Sequence, residues 1–271
     1  MTGSLARRAL AKSAVLVIVL AMPGAAAAQG FAAFVSPPRF EVQAKAGEAR
    51  RHVMEIHHVG PSTGRFRLYT NDVSFQEDFS VQFSDALRPG SCRPWVALER
   101  RELSIAPDAK YRFRFEVTPP PGTPAGECVF AIMLEGLDTT KVEQGQINFP
   151  VAGRIGVIVY VQTGGAAPKL AISGSRLLVS KGERQPVIDV ANAGNATGRL
   201  EGFLVAKDAS GNEFEMSPEN VPIFPGRKRA ISLFAVAQEG QKPPVIQYPL
   251  VVKGTLEWGK NRETLDLRFE P

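Results

Sequence analysis

Apolar and polar residues alternate with a period of two through most of this chain. The pattern is cleanest at Tyr111-Arg112-Phe113-Arg114-Phe115-Glu116-Val117. There aromatic and apolar residues hold the odd positions and Arg and Glu the even ones, as in a strand with one buried face. Shorter runs of the same kind predict strands at 34–42, 52–57, 65–72, 80–83, 92–98, 102–105 and 128–135. Gly, Pro, Asn and Asp clusters separate them. After 168 the pattern resumes at 187–192, 199–207, 228–236, 245–253, 254–258 and 264–269. No stretch has the 3.6-residue period of an amphipathic helix. The small-residue break Thr163-Gly164-Gly165-Ala166-Ala167-Pro168 suits a short hinge. The pattern therefore predicts an all-β chain of two sandwich domains, 29–163 and 164–271.

One run stands apart. Gln146 to Val161 is a long β-forming stretch with a single charge, Arg154. Residues 155–161 are β-branched, aromatic or glycine, as in a strand buried on at least one face. Before Arg154, Ile147, Phe149 and Val151 alternate with Asn148, Pro150 and Ala152. Pro150 cannot donate to a ladder, which predicts a sheet edge. The polar segment 136–145 ahead of it reads as a connection. A long apolar edge is normally an aggregation hazard; here it reads as a binding device. The competing reading has Ile147, Phe149 and Val151 filling the domain's own core.

The beginning of the chain follows another logic. Arg7, Arg8 and Lys12 form a basic head, 13–22 is apolar, and Ala26-Ala27-Ala28 is a small-residue cleavage site. Residues 1–28 are expected to be a secretory signal peptide, too short to span a membrane stably. The paired arginines loosely resemble a twin-arginine signal, but a common basic head is the better account, because a paired arginine alone is weak evidence. Cleavage would leave 271 − 28 = 243 residues, enough for two domains. It would also remove three of the 32 basic residues and none of the 27 acidic ones, leaving 29 − 27 = +2. A near-neutral mature chain gives no reason to expect nucleic acid or anionic membranes as partners. No other apolar run reaches membrane length. The two cysteines, Cys92 and Cys128, read as a disulfide in an exported protein, with two buried free thiols as the alternative.

Several marks occur in one order: Ser36-Pro37-Pro38-Arg39, Trp95-Val96-Ala97-Leu98, Ile105-Ala106-Pro107, Pro124-Ala125-Gly126-Glu127-Cys128 and Gly153-Arg154-Ile155-Gly156-Val157. Together they resemble the periplasmic pilus and fimbrial assembly chaperones, the PapD-like group. The resemblance covers nearly the whole mature chain, is clearest from Trp95 to Val161, and is generic after Pro168. It implies two immunoglobulin-like sandwiches set at an angle. It implies a chaperone that lends an edge strand to an incomplete pilus or related surface subunit, with an outer-membrane usher as second partner. By the same resemblance, Arg154 and Arg39 would anchor the client carboxylate. Ile147 and Phe149, with Val151 as a third, would be the donor side chains. Two departures stand out: Pro150 interrupts the donor ladder, and Pro38-Arg39 replaces the usual Thr-Arg.

Other chemistry has little support. His52, His57 and His58 are the only histidines, and neighbours on a strand face opposite ways, so no metal site is expected. Nucleophile elbow, redox Cys pair, phosphate loop and dinucleotide fingerprint are all missing. Neither enzyme activity nor a cofactor is expected. Asn195-Ala196-Thr197 fits a glycosylation sequon, a match that chance often produces. The alternative to a chaperone is a secreted structural or adhesive two-domain protein with no client.

Overall fold

The computed structural model describes residues 31–271 except 77, 139, 145, 146, 152, 181, 238, 239 and 241. The side chains of 140–144, 147–151 and 180 also lie outside the described part. The expected signal peptide lies wholly outside it.

The described residues are all-β, as their alternation predicts, with one turn of 3-10 helix at Arg93–Trp95. Two sheets enclose a first core. One runs in the order β1 (Ala33–Ser36), β3 (Arg50–His58), β8 (Lys110–Val117), β6 (Val96–Leu98). The other runs β2 (Arg39–Ala44), β12 (Arg154–Thr163), β9 (Gly126–Gly136), β4 (Gly64–Phe75), β5 (Val81–Ser84), with β7 (Glu102–Ile105) also on β4. The predicted strand 34–42 is thus two strands. Pro37 and Pro38 bring no N–H, so the chain leaves one ladder there and joins the other. β1 pairs antiparallel with β3, and β2 pairs parallel with β12. Met54, Ile56, Phe113, Phe115, Phe130, Ile132, Val157 and Val159 fill the space between the sheets.

The Cys92–Cys128 disulfide expected from the sequence is formed and ties the 3-10 turn to β9, with a Cα–Cα distance of 6.1 Å. Closing its 36-residue span stabilises the fold by about 3–4 kcal/mol on the chain-entropy account.

A second sandwich holds a separate core of Ile188, Val190, Leu204, Met216, Ile231 and Leu250 among others. Its strands are β13 (Leu170–Ser180), β14 (Glu183–Asn192), β15 (Leu204–Lys207), β16 (Glu213–Pro218), β17 (Lys228–Ala235), β18 (Leu250–Trp258) and β19 (Asn261–Phe269). β17 passes between layers, pairing with β14 through Ser232 and with β16 from Leu233.

The sequence reading passed over β13 and β16. In β13 a register shift between Ile172 and Gly174 breaks the alternation. β16 is short and ends on a proline. Conversely, 199–203 does not belong to a strand, because Gly202 at φ +130° turns the chain. Residues 245–249 likewise precede β18, which then runs unbroken through Gly254.

Candidate functional site

β9 and β12 form a long antiparallel hairpin that continues beyond the sandwich. At its far end the supposed connection 136–145 contains a strand, β10 (Thr140–Gln144), which pairs with β11 (Ile147–Val151). This two-stranded arm is a sheet of its own. Residues 147–161 are therefore two strands, broken just before Arg154. By alternation Ile147, Phe149 and Val151 share one face of β11; their side chains lie outside the described residues.

The backbone has an open edge here. β2 covers β12 only from Ile158 onward, which leaves Arg154–Val157 uncovered on that side among the described residues. β11 has β10 on one side and no strand on the other among the described residues. Pairing parity says which groups face outward. Pro150 sits opposite Lys141. Having no N–H, it belongs to a non-hydrogen-bonded pair, so the 140↔151, 142↔149 and 144↔147 pairs carry the bonds. On β12, the Gly136 N–H donates to the Gly153 carbonyl at 3.0 Å, which sets the same odd-numbered parity toward β9. Asn148, Arg154 and Gly156 thus turn both N–H and C=O to the open edge, and Pro150 its carbonyl alone. The proline that marks the edge removes one donor from it and none from the arm's own pairing.

Odd residues of β12 enter the core, while Arg154, Gly156, Ile158, Tyr160 and Gln162 take the outer face. Arg154 lines an exposed groove with Arg67, Tyr69, Asn71, Phe83 and Glu135. Phe83 lies over Gly156, where a Cβ would come within 2.7 Å of its ring. Arg67 is committed to Glu135 at 2.7 Å and lies over the Tyr69 ring. Arg154 has no carboxylate in ion-pair contact among the described residues.

Arg39 also projects on the outer face, but the two arginines are not adjacent. Arg39 sits opposite Ile158, four residues beyond Arg154, roughly 13 Å along the strand. It pairs with Glu41 at 3.4 Å.

Glu41 leads to a cluster that sequence reading missed. Arg199, from the second sandwich, donates to the Tyr160 hydroxyl at 3.0 Å and lies over its ring at 5.3 Å. Its Nε is 3.6 Å from Glu41, and its side chain is only 10% exposed. Burial pushes the Tyr160 phenol up, against the pull of Arg199. Nearby, Glu127 accepts the Thr197 N–H at 2.9 Å and the Thr197 hydroxyl, and also the Gln162 amide at 3.1 Å. The sequon at 195–197 therefore lies at the junction with its threonine hydroxyl engaged. A third contact is aromatic. Phe224 packs on Phe75 with centroids 4.3 Å apart, and Arg229 lies 3.7 Å from the centre of the Phe79 ring.

The histidines do not converge. His57 meets Asp108 at 2.9 Å, and His58 bonds the carbonyls of Ala32 and Ser62. His52 stacks beside its cross-strand neighbour Phe115, and Phe40 meets both rings edge-on. Among the described residues no group of His, Cys, Asp and Glu is placed to hold a metal ion, and no helix is long and apolar enough to cross a membrane.

No family model and no curated protein matches the chain. Solved structures do. The class 5 fimbriae chaperone CfaA is 12% identical, covering 88% of this chain and 99% of its own at a TM-score of 0.45. The YadV chaperone is 11% identical over 87% and 98%, also at 0.45. The Pseudomonas aeruginosa CupB2 chaperone is 10% identical over 87% and 100%, at 0.43.

Proposed function

We propose that this protein is a chaperone that holds an incomplete β-sheet subunit by strand addition along the open edge of β11 and early β12. The observation that carries the reading is that uncovered edge, which runs from the arm into the sandwich without a neighbouring strand among the described residues. Outward-facing N–H and C=O groups at Asn148, Arg154 and Gly156 supply sequence-independent affinity. Ile147, Phe149 and Val151 would each contribute about 1.5–3 kcal/mol if buried in a client groove. Arg154, which has no carboxylate partner among the described residues, would take a chain-terminal carboxylate, and Arg39 would take part from further along the same face. In this reading the chain is exported to the periplasm after cleavage near Ala28. Residues 29–163 bind the subunit, 164–271 form the second domain, and an outer-membrane usher receives the complex.

The test is periplasmic co-purification with the small secreted proteins encoded beside it. The wild type should carry a stoichiometric subunit. Arg154→Ala removes a hydrogen bond to a charged group worth about 1.5–3 kcal/mol, so capture should weaken about 10- to 150-fold. A well-exported protein that captures nothing in either form would overturn the reading in favour of a structural role.

A further inference from the structure

The arm is rooted on two glycines, Gly136 and Gly153, joined by a β9–β12 hydrogen bond. Just beyond, the Leu137 N–H donates to the Arg65 carbonyl at 2.9 Å and Asp138 pairs with Arg65 at 2.8 Å, which ties the β9 side of the root to β4 and leaves the β12 side, at Gly153, to Phe31. Neither glycine takes a positive φ, so the backbone alone does not call for glycine at either place. What does is Phe31. A Cβ on Gly153 would lie 2.0 Å from the Phe31 Cβ and 2.3 Å from its Cγ; one on Gly136 would lie 3.0 Å from its ring. The Phe31 ring also meets Phe66 edge-on, centroids 6.0 Å apart, and packs against the first core. One aromatic side chain is thus wedged between the sandwich and the root of the arm. It comes from the third residue after the cleavage site expected at Ala28.

We infer that Phe31 is a positioning residue for the arm. It fixes the direction in which β10 and β11 leave the sandwich, so that the open edge of β11 continues that of β12. Without it the β12 side of the root can pivot against the β9 side, which Arg65 holds through Leu137 and Asp138, and the two halves of the edge fall out of line. The inference rests on the strand-addition reading for its purpose, but its geometry is tested without any client.

The experiment uses the full exported chain with spin labels at Glu143→Cys on the arm and Arg112→Cys on the sandwich, Cys92 and Cys128 staying in their disulfide. The distance distribution is measured for the otherwise unaltered protein, Phe31→Ala, Phe31→Leu, Gly153→Ala and the Phe31→Ala/Gly153→Ala pair. Phe31→Ala should broaden the distribution and Phe31→Leu should broaden it less. Gly153→Ala should shift it by displacing Phe31, and the pair should be no worse than Phe31→Ala alone. Thermal midpoints confirm that the variants compared are folded. Should Phe31→Ala fail to fold, Gly153→Ala and Phe31→Leu decide. A distribution unmoved in the folded variants overturns the inference. A broadened one with undiminished subunit capture leaves it standing and counts against strand addition instead.

Discussion

His52 lies between the two layers of the first sandwich, 5.3 Å from the Phe115 ring and 5.7 Å from that of Phe40. Its Nε2 has no hydrogen-bond partner among the described residues. Burial, helped by the charge of Arg50, lowers its pKa. The folded protein therefore binds a proton less readily here than the unfolded chain does. The resulting stability is complete above the ordinary histidine value of about 6.5 and is lost as pH falls through the lower folded value. Thermal midpoints taken from pH 8 to pH 5 should fall, and His52→Phe should flatten that part of the profile. Single residues differed greatly in legibility. Cys92 and Cys128 could be paired because an exported chain with two thiols offers one partner each. Arg154 stood out as a lone charge in an apolar run. Arg199, Tyr160 and Glu41 gave no signal, since their meaning lies in a contact between segments far apart in sequence.

At the scale of elements, β11 shows what a strand's parity decides. The Asn148 N–H faces the open edge, whereas that of Phe149 pairs with β10. Asn148→Pro should therefore leave the fold intact, with an unchanged far-ultraviolet spectrum, yet weaken subunit capture. Phe149→Pro removes a ladder bond and should unzip the arm, seen as faster amide exchange across β10 and β11. Equal effects from the two substitutions would overturn the assignment of edges. Most strands of the first sandwich were legible because each buries every second residue. β10 was not: Thr-Lys-Val-Glu-Gln has almost nothing to bury, and it is a strand because β11 lies beside it. The split of 34–42 between two sheets was hidden for a related reason, since alternation reports a buried face and not which ladder the backbone joins.

At the scale of the molecule, the two sandwiches meet through the Arg199–Tyr160–Glu41 cluster, the Glu127–Thr197 clamp and the Phe75–Phe224 stack. Phe79 holds φ +64° beside this stack, a conformation a bulky residue keeps only when its surroundings enforce it. Phe224→Ala removes an aromatic pair worth about 0.5–1.5 kcal/mol beyond its area. Combined with Glu127→Ala, it should widen the distribution of sandwich-to-sandwich orientations in small-angle scattering while each core keeps its own unfolding transition. An unchanged profile would mean that the Arg199 contact alone sets the orientation. The two-sandwich plan was legible from alternation and turn spacing, but the manner of their meeting was not. The parallel pairing of β2 with β12 also sets an order in time. Gln43 and Gln162, bonded side by side, are 119 residues apart in sequence. A chain synthesised from its N-terminus makes β2 early and must leave it unpaired until β12 has followed. Closing so distant a contact is slow, so the first sandwich is completed late, with the same strand whose outer end remains open.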